Sequence, residues 1–568
     1  MSDNCQETIM SEDTIDFLIY ASVMTPEILS TFQSNCYQRI SSRYFSVYTP
    51  LSSTNLIPAN AFSHGTLPRL YTEMSTTALE VTGITRLSNQ PVLQLKGQGV
   101  IIGIADSGID YTHPAFLDEN GKTRILSIWD QTVSDGTPPK GISYGTEYSE
   151  ADINYALTQP NPLEYVKTSD SGGHGTFLAG VAGGSANPVY DFVGAAPQAR
   201  FVIVKLKPAK QFFRDYYFVD SDTNTYQEND VMLGINYLRQ YALEQNLPLS
   251  IAFGLGSGLG GHSGFSSLDN IVSSVSFYPN ACICVPVGNE GNSRNHYRGI
   301  VLNAATPDIM EIYVNQNVDG LVFEIWGQNP AVLSIAIESP TGERITKIPA
   351  RLGQLEEVTL VFEQTTISVY YELVEAFSGD EVIFVRMIRP TEGLWRILVY
   401  SNMDNSIFDS YLPGQSLIGN HAYFLRSDPD ITLTSPSSTA NAISVSGYDP
   451  ITGAFYQDSG RGFTRLGSYK PDLCAPCTDI TGPNLRGGYE QRSGTSLAAA
   501  LTAGACAQFF TWAVTNGNFP SITSNNIKAY LIRGAVRNPD IQYPSRLWGY
   551  GTLDVYRSFD VLRRGGES

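Results

Sequence analysis

The most restrictive feature of the sequence is a series of apolar segments that lack polar alternation. The series begins with GVIIGIADSG (99–108) and continues with RFVIVKLK (200–207), LSIAFGLG (249–256) and ACICVPVGNEG (281–291). Helical patterns such as DVMLGINYLRQYALEQ follow these segments. Strands that are apolar throughout are buried on both faces, which is typical of a parallel sheet covered by helices. The sequence therefore predicts the α/β fold class, with a parallel sheet and helices on both faces.

A different pattern occupies the region from about residue 300 to about residue 430. Segments such as EIYVNQ, LSIAIESP and WRILVYS alternate apolar with polar residues and are separated by turn residues. This alternation is typical of antiparallel strands, and about seven can be distinguished. We predict an antiparallel β-sandwich of jelly-roll type. The α/β pattern resumes with NAISVSGY and SGTSLAAALTAGACAQFFTWAV, so the sandwich is an insertion within the α/β domain.

The length of 568 residues exceeds that of one ordinary domain. Two apolar stretches within residues 14–60, DFLIYASV and EILSTFQSNCYQRI, predict a small α/β unit ahead of the main domain. The predicted organisation has four segments: an N-terminal domain at 1–74, the first part of the α/β domain at 75–298, the inserted β domain at 299–431, and the second part of the α/β domain at 432–568.

Charge and the N-terminal sequence exclude several classes of partner. With 36 basic and 55 acidic residues the net charge is −19, which disfavours binding to nucleic acid or to anionic membranes. The N-terminal sequence MSDNCQETIMSEDTIDF is acidic, and no apolar signal-peptide region follows it. No run predicts a transmembrane helix. We expect synthesis in the cytoplasm without a secretory signal and without membrane insertion.

The seven cysteines are odd in number and widely spaced, which argues against a disulfide scaffold and favours a reducing compartment. Cys282-x-Cys284 and Cys474-x-x-Cys477 would form a zinc site only if the fold made the two pairs adjacent. Both pairs lie in apolar, strand-like segments, so buried free thiols are the favoured interpretation.

Four short motifs carry the candidate chemistry: Asp106 in IADSGID, His174 in GHGTFLAG, Asn289 in GNEG and Ser496 in SGTSLAA. Each lies at the end of a predicted strand or at the start of a predicted helix. In α/β sheets these ends form the ligand crevice. The fold can therefore bring the motifs together, although positions 106 and 496 are 390 residues apart.

The order Asp, His, Ser and the segments DSGIDYTHP, GHGTFLAG and SGTSLAA resemble the subtilase family, the subtilisin-like serine proteases of family S8. KPDLCAP and GYGTLDV resemble further family motifs, and the resemblance covers about residues 75–298 and 432–556. It implies Ser496 as nucleophile, His174 as general base and acid, and Asp106 as the group that orients His174. Asn289 would complete the oxyanion hole together with the backbone N–H of Ser496.

The resemblance also implies how a protein or peptide substrate binds. The substrate would lie as a strand along Gly254, Leu255 and Gly256, with a pocket walled by Pro286, Val287 and Gly288. Two residues depart from the family pattern: Gly254 stands where many relatives have serine, and Ala500 where proline is usual. His113, beside the aspartate loop, is expected to pack and not to react.

No cofactor is required by this chemistry, although calcium commonly stabilises subtilases. Asp110 and the acidic loops offer calcium ligands, but no loop has an EF-hand-like spacing. The unit at 1–74 resembles a subtilase propeptide that the chain itself would cleave near Arg69–Ser75 and that would remain a partner. The alternative is a structural layer that is never removed.

The inserted β domain, within the 207 residues that separate Asn289 from Ser496, resembles the Csp-type germination proteases of spore-forming anaerobes. That resemblance implies limited proteolysis of a proenzyme during germination, and packaging in the spore. Two alternatives stay open: a general subtilase of broader specificity, and a regulatory pseudoprotease or binding protein of the same branch. All three triad residues and Asn289 are retained, which favours an active enzyme.

Overall fold

The structure, a computed structural model, describes residues 14–20, 30, 32, 36–39, 44–50, 77–91, 93–220, 223–351, 355–375, 378–485 and 487–565. The chain divides into two compact units, Met1–Glu73 and Met74–Ser568.

The described part of the first unit is an antiparallel sheet in the order β1-β3-β2. Its strands are β1 (Thr14–Tyr20), β2 (Cys36–Arg39) and β3 (Tyr44–Pro50). Cys36 is disulfide-bonded, although the sequence argued against a disulfide scaffold. Most of the stretch EILSTFQSNCYQRI and the whole predicted cleavage segment Arg69–Ser75 lie outside the described residues.

The second unit begins with the strands and helices predicted for the α/β domain. Its strands are β4 (Ile101–Asp106), β5 (Ile125–Asp130), β6 (Thr146–Ser149), β7 (Arg200–Lys205), β8 (Leu249–Ala252) and β9 (Ala281–Pro286). Its helices are α1 (Thr77–Val81), α2 (Ile84–Ser88), α3 (Glu150–Leu157), α4 (His174–Gly183), α5 (Gln211–Tyr217), α6 (Glu228–Gln245) and α7 (Ser267–Phe277).

The inserted region follows as antiparallel strands with one short helix, α8 (Gln415–Ile418). The strands are β10 (His296–Val301), β11 (Asp308–Val314), β12 (Gly320–Gly327), β13 (Leu333–Glu338), β14 (Arg344–Ile348), β15 (Leu355–Thr359), β16 (Thr366–Glu372), β17 (Val382–Ile388), β18 (Gly393–Ser401), β19 (Ser406–Tyr411) and β20 (Ala422–Phe424).

The chain then returns to the α/β domain. The remaining elements are β21 (Ile443–Tyr448), β22 (Leu473–Pro476), the hairpin β23 (Ile480–Pro483) and β24 (Tyr489–Arg492), and the helices α9 (Thr495–Phe510), α10 (Ser524–Gly534) and α11 (Val555–Gly565).

An eight-stranded sheet in the order β22-β21-β9-β8-β4-β7-β5-β6 organises the α/β domain. All of its pairings are parallel except that of β6, which runs antiparallel to β5. One face packs against α4 and α9, where Ile102 shares a core with Phe177 and Leu501. The other face packs against α6, where Ile101 shares a second core with Leu238. Helices thus cover both faces, and the predicted subtilisin-like α/β fold is confirmed.

The inserted region forms two antiparallel sheets, ordered β10-β19-β12-β17-β16-β15 and β14-β13-β18-β11-β20. They share one apolar core, which includes Phe323, Trp395 and Val399. The eleven strands within the described residues exceed the seven predicted. A strand such as β14 (RITKI) carries too few apolar residues to be recognised by periodicity. The predicted boundary between residues 298 and 299 falls inside β10. The jelly-roll topology stays a prediction.

Within the described residues, one helix reaches the length of a membrane span, but it lies buried in the core. Thr495–Thr515, which is α9 with the π-helical turn that follows it, is long and apolar enough to cross a membrane by composition. However, 89% of its apolar window is buried inside the protein. Its many alanines and Gly504 allow it to pack closely in the core, and this central position accounts for its hydropathy.

Candidate active site

The parallel sheet brings the predicted catalytic residues to one edge. Asp106 is the last residue of β4, His174 is the first residue of α4, and Ser496 is the second residue of α9. His174 Nδ1 lies 2.8 Å from Asp106 Oδ1, and His174 Nε2 lies 3.4 Å from Ser496 Oγ. These two contacts link Asp106 to Ser496 through the His174 ring, which is the arrangement that activates a serine nucleophile.

Asp106 affects both the tautomer and the pKa of His174. Its carboxylate is buried, and Oδ1 accepts hydrogen bonds from the Ser107 N–H at 2.7 Å and from His174 Nδ1. With Nδ1 donating to Asp106, Nε2 is left as the acceptor that faces the Ser496 hydroxyl. The negative charge of Asp106 raises the pKa of His174, against the opposing effect of burial.

Glycines allow the helix that carries His174 to start against the Asp106 loop. Gly173 precedes the helix with a φ of 72°, in the left-handed region that favours glycine. A Cβ on Gly175 would lie 2.3 Å from the carbonyl oxygen of Gly108. The GHG motif therefore reflects a close backbone approach as well as the chemistry of its histidine.

Asp170 is a buried residue that the sequence analysis missed. Its Oδ1 accepts hydrogen bonds from the N–H groups of Gly172 and Gly173 and from the Ser107 hydroxyl at 2.8 Å. Its Oδ2 accepts from the backbone N–H and the hydroxyl of Thr176, at 2.9 and 2.7 Å. Asp170 thus ties the start of α4 to the loop after Asp106. An acidic residue just before a helix was the available signal.

Asn289 follows β9 and is oriented by the segment that carries the nucleophile. Its Oδ1 accepts hydrogen bonds from Thr495 N at 3.0 Å and from Thr495 Oγ1 at 3.2 Å. Because the carbonyl oxygen is held in this way, the amide nitrogen is directed as a donor beside Ser496. The N-terminal end of α9 adds the N–H group of Ser496 at the positive end of a helix.

The residues predicted to bind substrate lie at or just beyond the carboxyl ends of β8 and β9, which pair in parallel. Gly254 approaches the catalytic pair closely, since a Cβ there would lie 2.8 Å from His174 Cε1 and 2.9 Å from Asp106 Oδ2. Gly256 and Gly288 both face Thr434, a residue that no motif indicated. Three further predicted residues extend the same two strands: Leu255, Pro286 and Val287.

His113 has the packing role expected of it. The ring is buried, and its Nδ1 accepts a hydrogen bond from Ala115 N at 3.1 Å. Its Nε2 donates to the carbonyl of Gly488 at 3.0 Å. Burial lowers the pKa of His113, which keeps the ring neutral. His113 therefore anchors the β23–β24 hairpin, which also packs on α4 through Pro483 and Gly180.

The metal-site expectations have different outcomes. The Asp110 carboxylate accepts hydrogen bonds from the backbone N–H and the hydroxyl of Thr112, at 3.1 and 2.6 Å. Within the described residues, Asp110 is part of no convergent group of His, Cys, Asp or Glu side chains. The one such group consists of three buried thiols: Cys282, Cys284 and Cys506.

The paired zinc site considered from the sequence is not assembled. Cys282 and Cys284 meet Cys506 of α9 and not Cys474 and Cys477, and Cys284 Sγ lies 3.8 Å from Cys506 Sγ. All five of these cysteines are free and buried. Burial raises the pKa of Cys474 to about 12, which favours neutral thiols.

Comparisons with known proteins agree with this geometry. A model of the subtilase family matches residues 97–224 and 418–551. The solved structure of the CspB protease of Clostridium perfringens is similar, with a TM-score of 0.76 and 28% identity over 86% of this chain and 99% of that chain.

Curated relatives are more distant in sequence. A PII-type proteinase of Lacticaseibacillus paracasei is 23% identical over 83% of this chain and 26% of its own length. A PI-type proteinase of Lactococcus lactis subsp. cremoris is 22% identical over the same shares. The chain thus spans about a quarter of the length of these relatives. Because the matched family blocks contain Asp106, His174 and Ser496, and the parallel sheet brings these residues into contact, this chain belongs to the subtilase family of subtilisin-like serine proteases.

Proposed function

We propose that the chain is a serine endopeptidase in which Ser496, His174 and Asp106 form the catalytic triad. The observation that carries the proposal is the continuous contact from Asp106 Oδ1 through the His174 ring to Ser496 Oγ, at 2.8 and 3.4 Å. His174 remains 38% exposed at its side chain, so a substrate can reach it.

Each residue has a defined role in the proposed reaction. Ser496 Oγ attacks the carbonyl carbon of the peptide bond while His174 Nε2 accepts the hydroxyl proton. The C–N bond then breaks, and the imidazolium gives its proton to the leaving amine. Water, activated by the same histidine, hydrolyses the acyl-enzyme and regenerates Ser496. Asp106 stabilises the imidazolium through both steps.

The developing negative charge on the carbonyl oxygen needs fixed donors. The Asn289 amide and the N–H of Ser496 supply them, and Thr495 holds the Asn289 carbonyl so that the amide does not have to reorient. Donors fixed in advance stabilise the transition state more than mobile water does. The retained donor and triad favour catalysis over a pseudoprotease role.

The likeness to the CspB protease supports a narrower proposal. We infer that the inserted β domain at 299–431 marks this branch, and that the enzyme makes limited cuts in a proenzyme during spore germination. We further infer that residues 1–74 act as a propeptide that the chain removes near Arg69–Ser75. A general subtilase would instead degrade unfolded proteins without selecting among them.

The test compares intact masses of the purified wild type, Ser496→Ala and the control Ser493→Ala. Ser493 lies three residues away and is exposed. We expect the wild type and Ser493→Ala to release about 70 residues and to react with a fluorophosphonate probe, whereas Ser496→Ala does neither. If the wild type keeps its full length but reacts with the probe, self-processing is contradicted and the proposed endopeptidase activity stands. If the wild type does not react with the probe, the proposed endopeptidase activity is contradicted.

A second assay addresses the substrate range. Denatured casein and a folded candidate proenzyme are incubated with the same amount of enzyme. Cleavage of the proenzyme at one bond, with casein left intact, is expected for a germination protease. Rapid degradation of casein would instead support the general subtilase.

A further inference from the structure

The chain passes from the α/β domain into the inserted region just after the residue predicted to complete the oxyanion hole. β10 begins at His296, shortly after Asn289. Its partner strand β19 ends at Tyr411, which lies opposite His296. Leu412 N then donates to Asn295 O at 2.9 Å. The entry segment (290–295) and the exit segment (412–415) of the inserted region therefore run side by side close to Asn289.

Glu290, the immediate neighbour of Asn289, directs its side chain into this junction. Glu290 is only 8% exposed. Its Oε2 accepts hydrogen bonds from Asn295 Nδ2 at 3.2 Å and from Gln415 N at 3.4 Å. Its backbone carbonyl accepts from the hydroxyl of Ser293 at 2.7 Å. Glu290 is therefore held by both the entry and the exit segment of the inserted region.

The exit segment fits closely over the carboxylate of Glu290. A Cβ on Gly414 would lie 2.6 Å from Glu290 Oε1, so this approach requires a glycine. The side-chain amide of Gln415 also donates to Ser293 O at 3.2 Å, which joins the exit segment to the entry segment. Moving the exit segment away would remove a partner from a buried carboxylate, which is unfavourable.

The two ends of the GNEG loop are fixed in a different way, by backbone hydrogen bonds within the α/β domain. Gly460 N donates to Gly288 O at 2.9 Å, and Gly291 N donates to Asp458 O at 2.9 Å. Glu290, in the middle of the loop, is instead fixed through its side-chain contacts with the inserted region. The inserted region thus holds the part of the loop that carries the predicted oxyanion donor.

We propose that Glu290 is a positioning residue through which the inserted region orients Asn289. The proposal rests on the proposed endopeptidase activity, in which the Asn289 amide donates to the developing oxyanion. Because Glu290 is held at the junction, the peptide bond that joins it to Asn289 keeps one orientation. Loss of the Glu290 contacts would let the Asn289 amide shift, and a donor stabilises the transition state best when it is fixed in advance.

The test compares Glu290→Ala with Glu290→Gln in steady-state hydrolysis of one peptide substrate. We expect Glu290→Ala to lower kcat about tenfold with KM nearly unchanged, because a misplaced oxyanion donor affects mainly the transition state. Glu290→Gln keeps an oxygen that can accept from Asn295 or Gln415, and we expect its kcat to stay within about twofold of the wild type. Glu357→Ala, which removes an exposed carboxylate on β15, is the control and should keep the wild-type kcat.

A double-mutant cycle separates positioning from a general loss of structure. If Glu290 acts through Asn289, Glu290→Ala should lower kcat in the wild-type background but not in the Asn289→Ala background. Denaturant unfolding identifies variants that fail to fold. If Glu290→Ala fails to fold, Gly414→Ala replaces it, since its Cβ would press on Glu290 Oε1 from the inserted region. We expect the same loss of kcat, again absent in the Asn289→Ala background.

The outcomes separate this inference from the proposed function. An unchanged kcat in Glu290→Ala, or an equal loss of kcat in the wild-type and Asn289→Ala backgrounds, overturns the positioning role while the protease stands. A higher KM with unchanged kcat in Glu290→Ala also overturns it. A wild type that cleaves no peptide and does not react with the fluorophosphonate probe overturns both the positioning role and the proposed endopeptidase activity.

Discussion

The parallel sheet of the α/β domain and the two sheets of the inserted region use opposite patterns to build a core. In β4 all six residues are buried, whereas β16 alternates buried Ile367, Val369 and Tyr371 with partly or fully exposed neighbours. Helices cover both faces of the first sheet, whereas a strand such as β16 buries only the face turned toward the shared core of the inserted region. Continuous and alternating hydrophobicity therefore indicate two-sided and one-sided burial, respectively.

The two regions also differ in what they contribute to the site. The α/β domain supplies the proposed triad and Asn289 from strand ends and helix starts. The inserted region holds the loop that continues from Gly256, because Gly260 N donates to Glu324 Oε2 at 2.8 Å. It thus supports the edge at which we propose that substrate binds, whereas the proposed reacting groups all lie in the α/β domain. Substitutions in the two regions should therefore separate loss of chemistry from loss of stability.

The largest expected effect comes from the triad of the α/β domain. His174→Ala should lower kcat about a million-fold, the size of effect that removal of this residue type has in subtilisin. Steady-state hydrolysis of a peptide substrate measures it. His421→Ala, in the inserted region and without a catalytic contact, is the control. A similar loss of kcat in His174→Ala and His421→Ala would contradict the assignment of the catalytic groups to the α/β domain.

Asn289→Ala should lower kcat by about 10²–10³-fold with little change in KM, because it removes a donor that acts mainly in the transition state. Separate determination of kcat and KM distinguishes this from lost substrate binding. An increase in KM with kcat unchanged would place Asn289 in ground-state binding instead.

Asp170→Ala should affect both catalysis and stability. It breaks the buried hydrogen bonds that join α4 to the Asp106 loop, and we expect about 3 kcal/mol of lost stability. We also expect about a tenfold lower kcat, since His174 is less well positioned. Denaturant unfolding and kinetics test this, with Asp152→Ala on α3 as an exposed control. Unchanged unfolding would contradict the role of Asp170.

The smallest expected effect is a pH-dependent one in the inserted region. Glu381 is buried, its Oε2 accepts from Leu333 N at 2.6 Å, and burial raises its pKa to about 7. The folded protein thus retains a proton that the unfolded chain releases near pH 4.5. The contribution of this proton to the free energy of unfolding is fully present below pH 4.5 and is lost as the pH rises through about 7. The loss is at most about 3 kcal/mol.

The free energy of unfolding of Glu381→Gln minus that of the wild type should therefore be larger at pH 8 than at pH 4.5. We expect no change in kcat. Urea unfolding at both pH values measures this. Exposed Glu357→Gln, on β15, is the control and should show no such pH dependence. If the difference in stability between Glu381→Gln and the wild type is instead the same at both pH values, burial does not raise the pKa of Glu381.

Local sequence was sufficient for the parts of the site that depend on short-range geometry. GHGTFLAG combines a helix-starting glycine, the reacting imidazole and the small residues that let α4 approach the Asp106 loop, all within eight positions. The strand patterns identified the parallel sheet because two-sided burial imposes continuous hydrophobicity. By contrast, the edge strand β14 carried no periodic signal and was missed.

The sequence by itself determined the α/β class, the presence of an inserted antiparallel region and the identity of the residues that come together at the sheet edge. Only the tertiary structure decided that Asp170 joins two loops, that Cys506 meets Cys282 and Cys284, and that Thr434 lies against Gly256 and Gly288. The physical reason is the range of the contacts. Hydrophobic period and turn chemistry act between residues a few positions apart, whereas Thr434 meets Gly256 and Gly288 across more than a hundred residues, and such neighbours are set only when the sheet and its insertion have packed.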